Sequence, residues 1–339
     1  MEPKMTAKDA ADFLGVSLQA INKTLKTKDV NYKKSANRLF FGHETGRTIF
    51  NLPVERQKIA FQIVKGGTGK TAIALNFAIR ASLYGLRVLC IDLDQQGNLT
   101  DLLGVDGDEQ ACLIDSITDP TVQFKDLIVS VLPGIDLVPS NLDNALLENT
   151  LTIKKIRLDR VYSQRIAQVE NNYDLIVLDC PPALGSNNAA AALTADKVVA
   201  VVDPDRNALK GLQYTHEEVA RIGSDFDQEI PIGIVLNKFD KRTSLSHDTL
   251  EMLIKHDTFG PMLYKSYVGV NQQIPNANAN QETLFDTLRD SSAKMDIDLL
   301  TREILGLDEA LINRKNKEKE GMPSAGMDSP AIGQNDQMI

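Results

Sequence analysis

Tryptophan is absent from this 339-residue chain, and cysteine occurs only three times, at Cys90, Cys112 and Cys180. The three are widely spaced and include no C-x-x-C pair, which excludes a disulfide framework and a cysteine metal site. A reduced cytosolic setting is expected. No apolar run approaches the roughly 20 residues of a membrane helix, and the opening "MEPKMTAKDAADF" lacks the apolar core of a secretory leader. The last stretch, "NRKNKEKEGMPSAGMDSPAIGQNDQMI" (313–339), has no periodicity and is expected to be disordered. Nor does it hold a basic-aromatic amphipathic helix that would lie on a membrane.

What the chain does have is uneven charge. The net charge is −9, but residues 1–58 carry eleven Lys/Arg against six acids, a local balance of +5 that leaves −14 on the remainder. A basic head on an acidic body implies two separate tasks.

From residue 58 onward, apolar runs recur at "KIAFQIV" (58–64), "RVLCIDLD" (87–94), "GIDLVP" (134–139), "YDLIVLD" (173–179), "KVVAVV" (197–202) and "IPIGIVLN" (230–237). They are unbroken rather than alternating, which suits strands buried on both faces of a parallel sheet. Helical stretches such as "KTAIALNFAIRASLYG" lie between them, with Gly85 placed to end that helix. The order predicts an α/β fold: a doubly wound, mostly parallel sheet with helices on both faces, binding ligands at the carboxyl ends of its strands. Three units are expected, namely 1–55, 56–312 and the tail 313–339.

"QIVKGGTGKTAIALNF" (62–77) holds a glycine-rich phosphate loop with a displaced start. The pattern G-x-x-x-x-G-K-[ST] ends on Gly69, Lys70 and Thr71, so its first glycine belongs at Val64; instead Lys65 precedes Gly66 and Gly67. The candidate phosphate cradle is Gly66, Gly67, Thr68, Gly69, Lys70, Thr71 and Ala72. Its backbone N–H groups open a helix whose dipole favours negative charge. Lys70 would reach the β- and γ-phosphates, and the Thr71 hydroxyl would coordinate Mg²⁺. Acids at strand ends complete the set: Asp179 to hold a metal-bound water, and Asp92 or Asp94 to orient the attacking water.

"KGGTGKT", "CIDLDQQGNLTDLLG" and "YDLIVLDCPPALG" resemble, in order and spacing, the deviant Walker A, A′ and B segments of ParA-type partition ATPases. The likeness continues through "PDRNALKGL" (204–212) and "LNKFDKRTSLSHDTLEML" (236–253), and spans roughly residues 58–310. MinD and nitrogenase iron protein share the loop, but the membrane helix of the first and the cysteines of the second have no counterpart here. The resemblance implies a P-loop ATPase using ATP and Mg²⁺, in which Lys65 crosses a homodimer interface to the partner's phosphates. It implies that Asp94 helps activate water, that Asp92 supports it and that Asp179 serves Mg²⁺. It further implies a nucleoid-associated cytoplasmic protein that binds DNA as the ATP dimer and is stimulated by a ParB-like centromere-binding protein.

"NKFD" (237–240) also spells the guanine-reading N-K-x-D motif. The deviant loop favours adenine, with Asn237 near the base, and GTP is the alternative. Several departures from the family pattern stand out. Ala72 replaces a hydroxyl common in the family, and Gln95 a proline. At 265–279, Val270 and Gln273 take the places of arginines, and Asn276 that of an acid. That loss of charge keeps open a positioning ATPase for a protein cargo.

In the head, "TAKDAADFLGVSLQAINKTLK" (6–26) reads as helix, tight turn, helix, with Thr6 and Ser17 as N-caps and Gly15 in the turn. Val16, Ile21 and Leu25 are expected to pack the second helix on the first, and "NRLFFGHETGRTIF" (37–50) to form a wing. This resembles a MerR-like or winged helix-turn-helix. Ser17, Gln19, Asn22 and Lys23 would face the major groove, with Lys26, Lys33, Lys34 and Arg38 near phosphates. Such a head implies an operator-binding role, either autoregulation of the operon or a nucleotide-controlled repressor. A small helical cap that packs on the ATPase or mediates dimerisation is the other reading.

Overall fold

The computed structural model describes residues 1–319, which hold ten strands in two sheets. Strands β1 (Met5–Thr6), β2 (Lys33–Ser35) and β3 (Arg38–Phe41) form a small antiparallel sheet in the order β1-β3-β2. The main sheet contains β4 (Gln57–Phe61), β5 (Val88–Asp92), β6 (Val129–Leu132), β7 (Ile135–Val138), β8 (Leu175–Asp179), β9 (Lys197–Val202) and β10 (Ile232–Leu236). Its order is β10-β9-β4-β8-β5-β7-β6. All neighbours are parallel except β6 and β7. Every residue of β5 and β8 is buried, as two helix-covered faces require. The six apolar runs of the sequence are all strands. The seventh, β6, escaped because its edge position leaves Ser130 outside and breaks the apolar run.

Helix α1 (Ala7–Leu14) starts at a capping box between Thr6 and Asp9 and ends on Gly15, whose φ of 65° is left-handed. Ser17 caps helix α2 (Leu18–Thr27), its Oγ accepting from the Ala20 N–H. Ile21 and Leu25 are buried as expected, but Val16 is 43% exposed. The reason is local: the Val16 N–H closes back on the Ala11 carbonyl at 3.0 Å, fixing it outside the helix pair. The hairpin β2–β3 turns through Ala36 and Asn37, then helix α3 (His43–Phe50) leads to the main sheet.

Helix α4 (Lys70–Leu83) decides how the head is attached. Residues Ile73 to Leu83 are buried without a break, so all its faces are covered. One face lies on the sheet; head and C-terminal helices cover the others. Phe13 stacks edge-on to Tyr84 at 4.7 Å and to Phe50 at 5.5 Å, and Phe50 meets Tyr84 at 5.3 Å. Head and ATPase residues therefore share one apolar core.

The helix Ser292–Leu305 adds a buried polar knot. Asp298 Oδ1 accepts from Arg80 Nε and from the Tyr84 hydroxyl, each at 2.6 Å, and Asp9 of α1 lies 3.9 Å from Arg80. Burial pushes the Asp298 carboxyl up, but Arg80 outweighs it and holds the pKa below the usual carboxylate range. The C-terminal helix Leu307–Lys319 corrects the expected disorder from residue 313: Arg314 donates to the Ile49 and Phe50 carbonyls, and Lys315 to that of Leu14 at 2.8 Å. These are last-turn carbonyls of α3 and α1, which basic side chains satisfy well. Residues 320–339 lie outside the described residues.

Lys294, on the same Ser292–Leu305 helix, carries a pH-dependent cost. Burial pulls its pKa down to about 8, with Asp9 acting the other way and Arg80 adding to the depression. The unfolded chain keeps that proton up to its ordinary value of 10.5, so stability rises with pH between about 8 and 10.5. Below pH 8 the cost is present in full. Lys294→Met is expected to stabilise the protein at pH 7 by about 1 kcal/mol once solvent screening is allowed for. That gain shrinks as pH rises from about 8 to 10.5; thermal melts at pH 7 and at pH 10.5 check it, and an unchanged midpoint at pH 7 contradicts it.

Candidate nucleotide site

The loop between β4 and α4 is shaped by Gly67 (φ 78°) and Gly69 (φ 88°), both in the left-handed region. At Gly69 a side chain is excluded twice, since its Cβ would lie 2.5 Å from Asn237 Nδ2. That amide donates to the Thr68 carbonyl at 2.7 Å, and Lys238 Nζ donates to the Gly67 carbonyl at 2.6 Å. "NK" of the "NKFD" motif thus braces the loop from behind. Lys238 was not anticipated; its place directly after a strand that ends beside the loop was the available signal.

Lys70 and Thr71 begin α4, and both converge on Asp179. Lys70 Nζ donates to Oδ1 at 2.6 Å and Thr71 Oγ1 to Oδ2 at 2.7 Å. Burial alone would lower the Lys70 pKa, but Asp179 beside it prevails and holds the ammonium above its ordinary value, fully charged.

Asp179 ends β8 in direct register with Asp92 at the end of β5. Burial first, then the Asp179 charge, pushes the Asp92 carboxyl up to about 7, against hydrogen bonds from Thr100 and the Asp94 N–H. Those bonds run from the Thr100 N–H at 3.0 Å, the Thr100 hydroxyl at 2.8 Å and the Asp94 N–H at 3.1 Å. Asp92 thus anchors the segment after β5. Asp94, buried two residues on, accepts from the Gln96 N–H at 3.0 Å and lines the cleft.

The cleft has a volume of about 310 Å³, bounded by residues 65–72 together with Asp94, Asn98, Leu102, Pro182 and Asn278. Lys65 stands at its mouth. Its Nζ donates to Asp203 Oδ1 at 2.5 Å and to Asp205, just past β9. Burial would lower its pKa, but those hydrogen bonds raise it above the usual lysine value. The two acids flank Pro204 in the "PDRNALKGL" segment, and their pairing with Lys65 was not read from the sequence.

The residues fit a nucleotide triphosphate with a hard cation. Backbone N–H groups open α4, a charged lysine is held among them, and Thr71 and Asp179 offer the oxygen donors Mg²⁺ takes. The buried Thr68 hydroxyl has no hydrogen-bond partner among the described residues, leaving one more polar atom for a ligand in the loop. Mg²⁺ held by Thr71 and Asp179 would supply positive charge against the phosphates.

The sequence-derived residues fall into two places. Lys65, Gly66, Gly67, Thr68, Gly69, Lys70, Thr71, Ala72 and Asp94 line one cleft, with Asp92 and Asp179 beneath it and Asn237 behind the loop. Ser17, Gln19, Asn22, Lys23, Lys26, Lys33, Lys34 and Arg38 lie apart, on the outer side of the head, and all but the half-buried Asn22 are exposed. Lys33 pairs with Glu2, and Arg38 reaches the Leu288 carbonyl and Asp290. The region of Val270, Gln273 and Asn276 is exposed and uncharged.

A parallel sheet with a phosphate loop after β4, and acids at the neighbouring strand ends, defines a P-loop ATPase of the α/β class. The family model described as "AAA domain" matches residues 56–232. The chain is 30% identical over 248 residues to the sporulation initiation inhibitor protein Soj of Bacillus subtilis, covering 71% of this chain and 95% of that protein. Against the chromosome partitioning protein ParA of Caulobacter vibrioides it is 30% identical over 216 residues, 63% of this chain and 80% of that one. A crystal structure of a plasmid partition protein from Borrelia burgdorferi bound to AMPPNP superimposes with a TM-score of 0.60 at 20% identity, covering 77% of this chain and all of that chain. The chain belongs to the ParA/Soj family of P-loop ATPases, whose cofactors are ATP and Mg²⁺. Among the described residues, no helix is long and apolar enough to cross a membrane.

Proposed function

We propose that this chain is a DNA partition ATPase: it dimerises face to face on Mg·ATP, binds DNA as that dimer, and hydrolyses ATP slowly until a ParB-like centromere-binding partner stimulates release. The observation that carries the reading is Lys65 at the mouth of a cleft already served by Lys70. A second cation there is redundant for one subunit and useful to a facing one, where it neutralises γ-phosphate charge. Asp94 orients the attacking water, Asp92 holds Asp94's segment in place, and Thr71 with Asp179 serves Mg²⁺. The head binds an operator and represses the protein's own operon. In support, the side chains of Lys23, Lys26 and Lys34 are exposed and have no ion-pair or hydrogen-bond partner among the described residues.

One observation favours a second reading. Val270 is 52% exposed, in a segment with no positive charge at 270, 273 or 276. That surface suits a protein cargo better than a DNA backbone, as in a positioning ATPase. Sedimentation of the full chain with ATP, ADP or GTP tests the first reading. A dimer with ATP alone supports it, whereas a monomer in every state, or an equal response to GTP, contradicts it.

A further inference from the structure

A cavity of about 500 Å³, larger than the 310 Å³ of the nucleotide cleft, lies on the seam between head and ATPase. Pro3, Tyr32 and Phe40 line it from the head, and Leu132 and Pro133 of the β6–β7 hairpin from the ATPase. All five keep surface that a ligand could touch: Tyr32 and Pro133 are exposed, Pro3 is half-buried, and Phe40 and Leu132 retain 8% each. The cavity also carries charge of one sign. Lys4 and Lys33 both line it and share a single carboxylate, Glu2: Lys33 pairs with it, and Lys4 Nζ lies 3.5 Å away. Two ammonium groups against one carboxylate leave a net positive charge, and the Lys33 side chain stays 67% exposed. His43, the other titratable side chain of the wall, is turned to the Ser82 carbonyl, to which its Nδ1–H donates at 2.9 Å.

We infer that this seam binds a small carboxylate with an apolar body, of the chemical class of a medium-chain fatty acid. The inference goes beyond the nucleotide reading and does not depend on it. Sites for small ligands are concave, a few hundred Å³ in size, mostly apolar with a few polar groups, and favour the junctions between units. Phe40, Leu132 and Pro133 take the apolar chain. The carboxylate lies at the rim, on the Lys33 ammonium and the exposed Tyr32 hydroxyl. A charge-assisted bond to an ammonium is stronger than a neutral one, so a carboxylate is preferred to an alcohol. A cationic amphiphile meets the net positive charge and is disfavoured. Because one wall belongs to the head and the other to the ATPase, the bound molecule ties the two together.

The test is isothermal titration of the full chain with decanoate, decanol and decyltrimethylammonium, each below its micellar concentration. Decanoate is expected to bind saturably, one per chain, and to raise the thermal midpoint. Its affinity should exceed that of decanol by roughly 10-fold, the worth of one hydrogen bond to a charged group, with the ammonium compound weaker still. Lys33→Glu is expected to remove that preference. Gly42→Leu should block the cavity: Gly42 lines it, its φ of −107° suits any residue, and an added Cβ meets nothing within 4 Å. Leu132→Trp fills the same space from the ATPase wall. A cooperative melt shows which variants fold. Loss of decanoate binding in the folded variants supports the site, and undiminished binding in either of them overturns it. No saturable binding by the parent chain, or equal binding of all three compounds, overturns it as well.

Discussion

Replacing Lys65 with alanine is expected to cut ATP hydrolysis by on the order of 10²- to 10³-fold, the size of effect seen when one preorganised charge-stabilising group is lost. Nucleotide binding by the monomer should change little. The two lysines of the loop are placed differently. Lys70 is buried within the loop on Asp179 at 2.6 Å, whereas Lys65 sits at the rim, on Asp203 and Asp205. A partly exposed ion pair of that kind contributes about 1 kcal/mol or less to the fold, so the variant keeps its structure. Lys65→Arg retains the charge but presents a planar fork, and should recover only part of the rate. Sedimentation and steady-state hydrolysis on the same sample separate the cases. A Lys65→Ala chain that still dimerises on ATP and hydrolyses it normally would leave the lysine a purely local role.

Asp298→Ala should be the most damaging substitution outside the cleft, costing about 3–5 kcal/mol, because it strands a buried guanidinium. Arg80 and Tyr84 both donate to the Asp298 carboxylate, and Asp9, 3.9 Å from Arg80, is too distant to replace it. Urea unfolding measures the loss. Changing Arg80→Met together with Asp298→Leu should recover a large part, since an apolar pair avoids the desolvation cost. A single variant as stable as the parent would show that the knot is dispensable. The same packing means a chain beginning at residue 56 would bare the aromatic face of Tyr84 that Phe13 and Phe50 cover. Head functions are therefore better dissected by substitution than by truncation.

Much of this architecture was legible because buried parallel strands must be apolar throughout and a phosphate loop must carry glycine where φ is positive. Gly67 and Gly69 follow from the second constraint, Lys70 and Thr71 from the loop pattern that continues it, and Asp92, Asp94 and Asp179 from the ends of the apolar runs. What stayed hidden depends on partners distant in sequence. Nothing local to Arg80 announces Asp298, 218 positions away. Likewise "NRKNKEK" looks disordered until the carbonyl ends of α1 and α3 are seen beside Arg314 and Lys315. The head was legible as helix, turn and helix from its caps, but Val16 was misplaced because apolar spacing alone cannot show that a backbone closure turns a residue outward. The basic balance of residues 1–58 marked the head as separate in charge without revealing that it shares the ATPase core.

The most direct test of the central claim is binding of random-sequence duplex DNA by the full chain carrying Lys23→Ala, Lys26→Ala and Lys34→Ala, with ATP, ADP or no nucleotide, across a range of salt. An ATP-gated DNA surface on the dimer predicts binding with ATP alone, falling steeply as salt rises. Absence of binding in every nucleotide state would contradict a partition ATPase that holds DNA through its nucleotide dimer, and would leave the protein-cargo reading in its place.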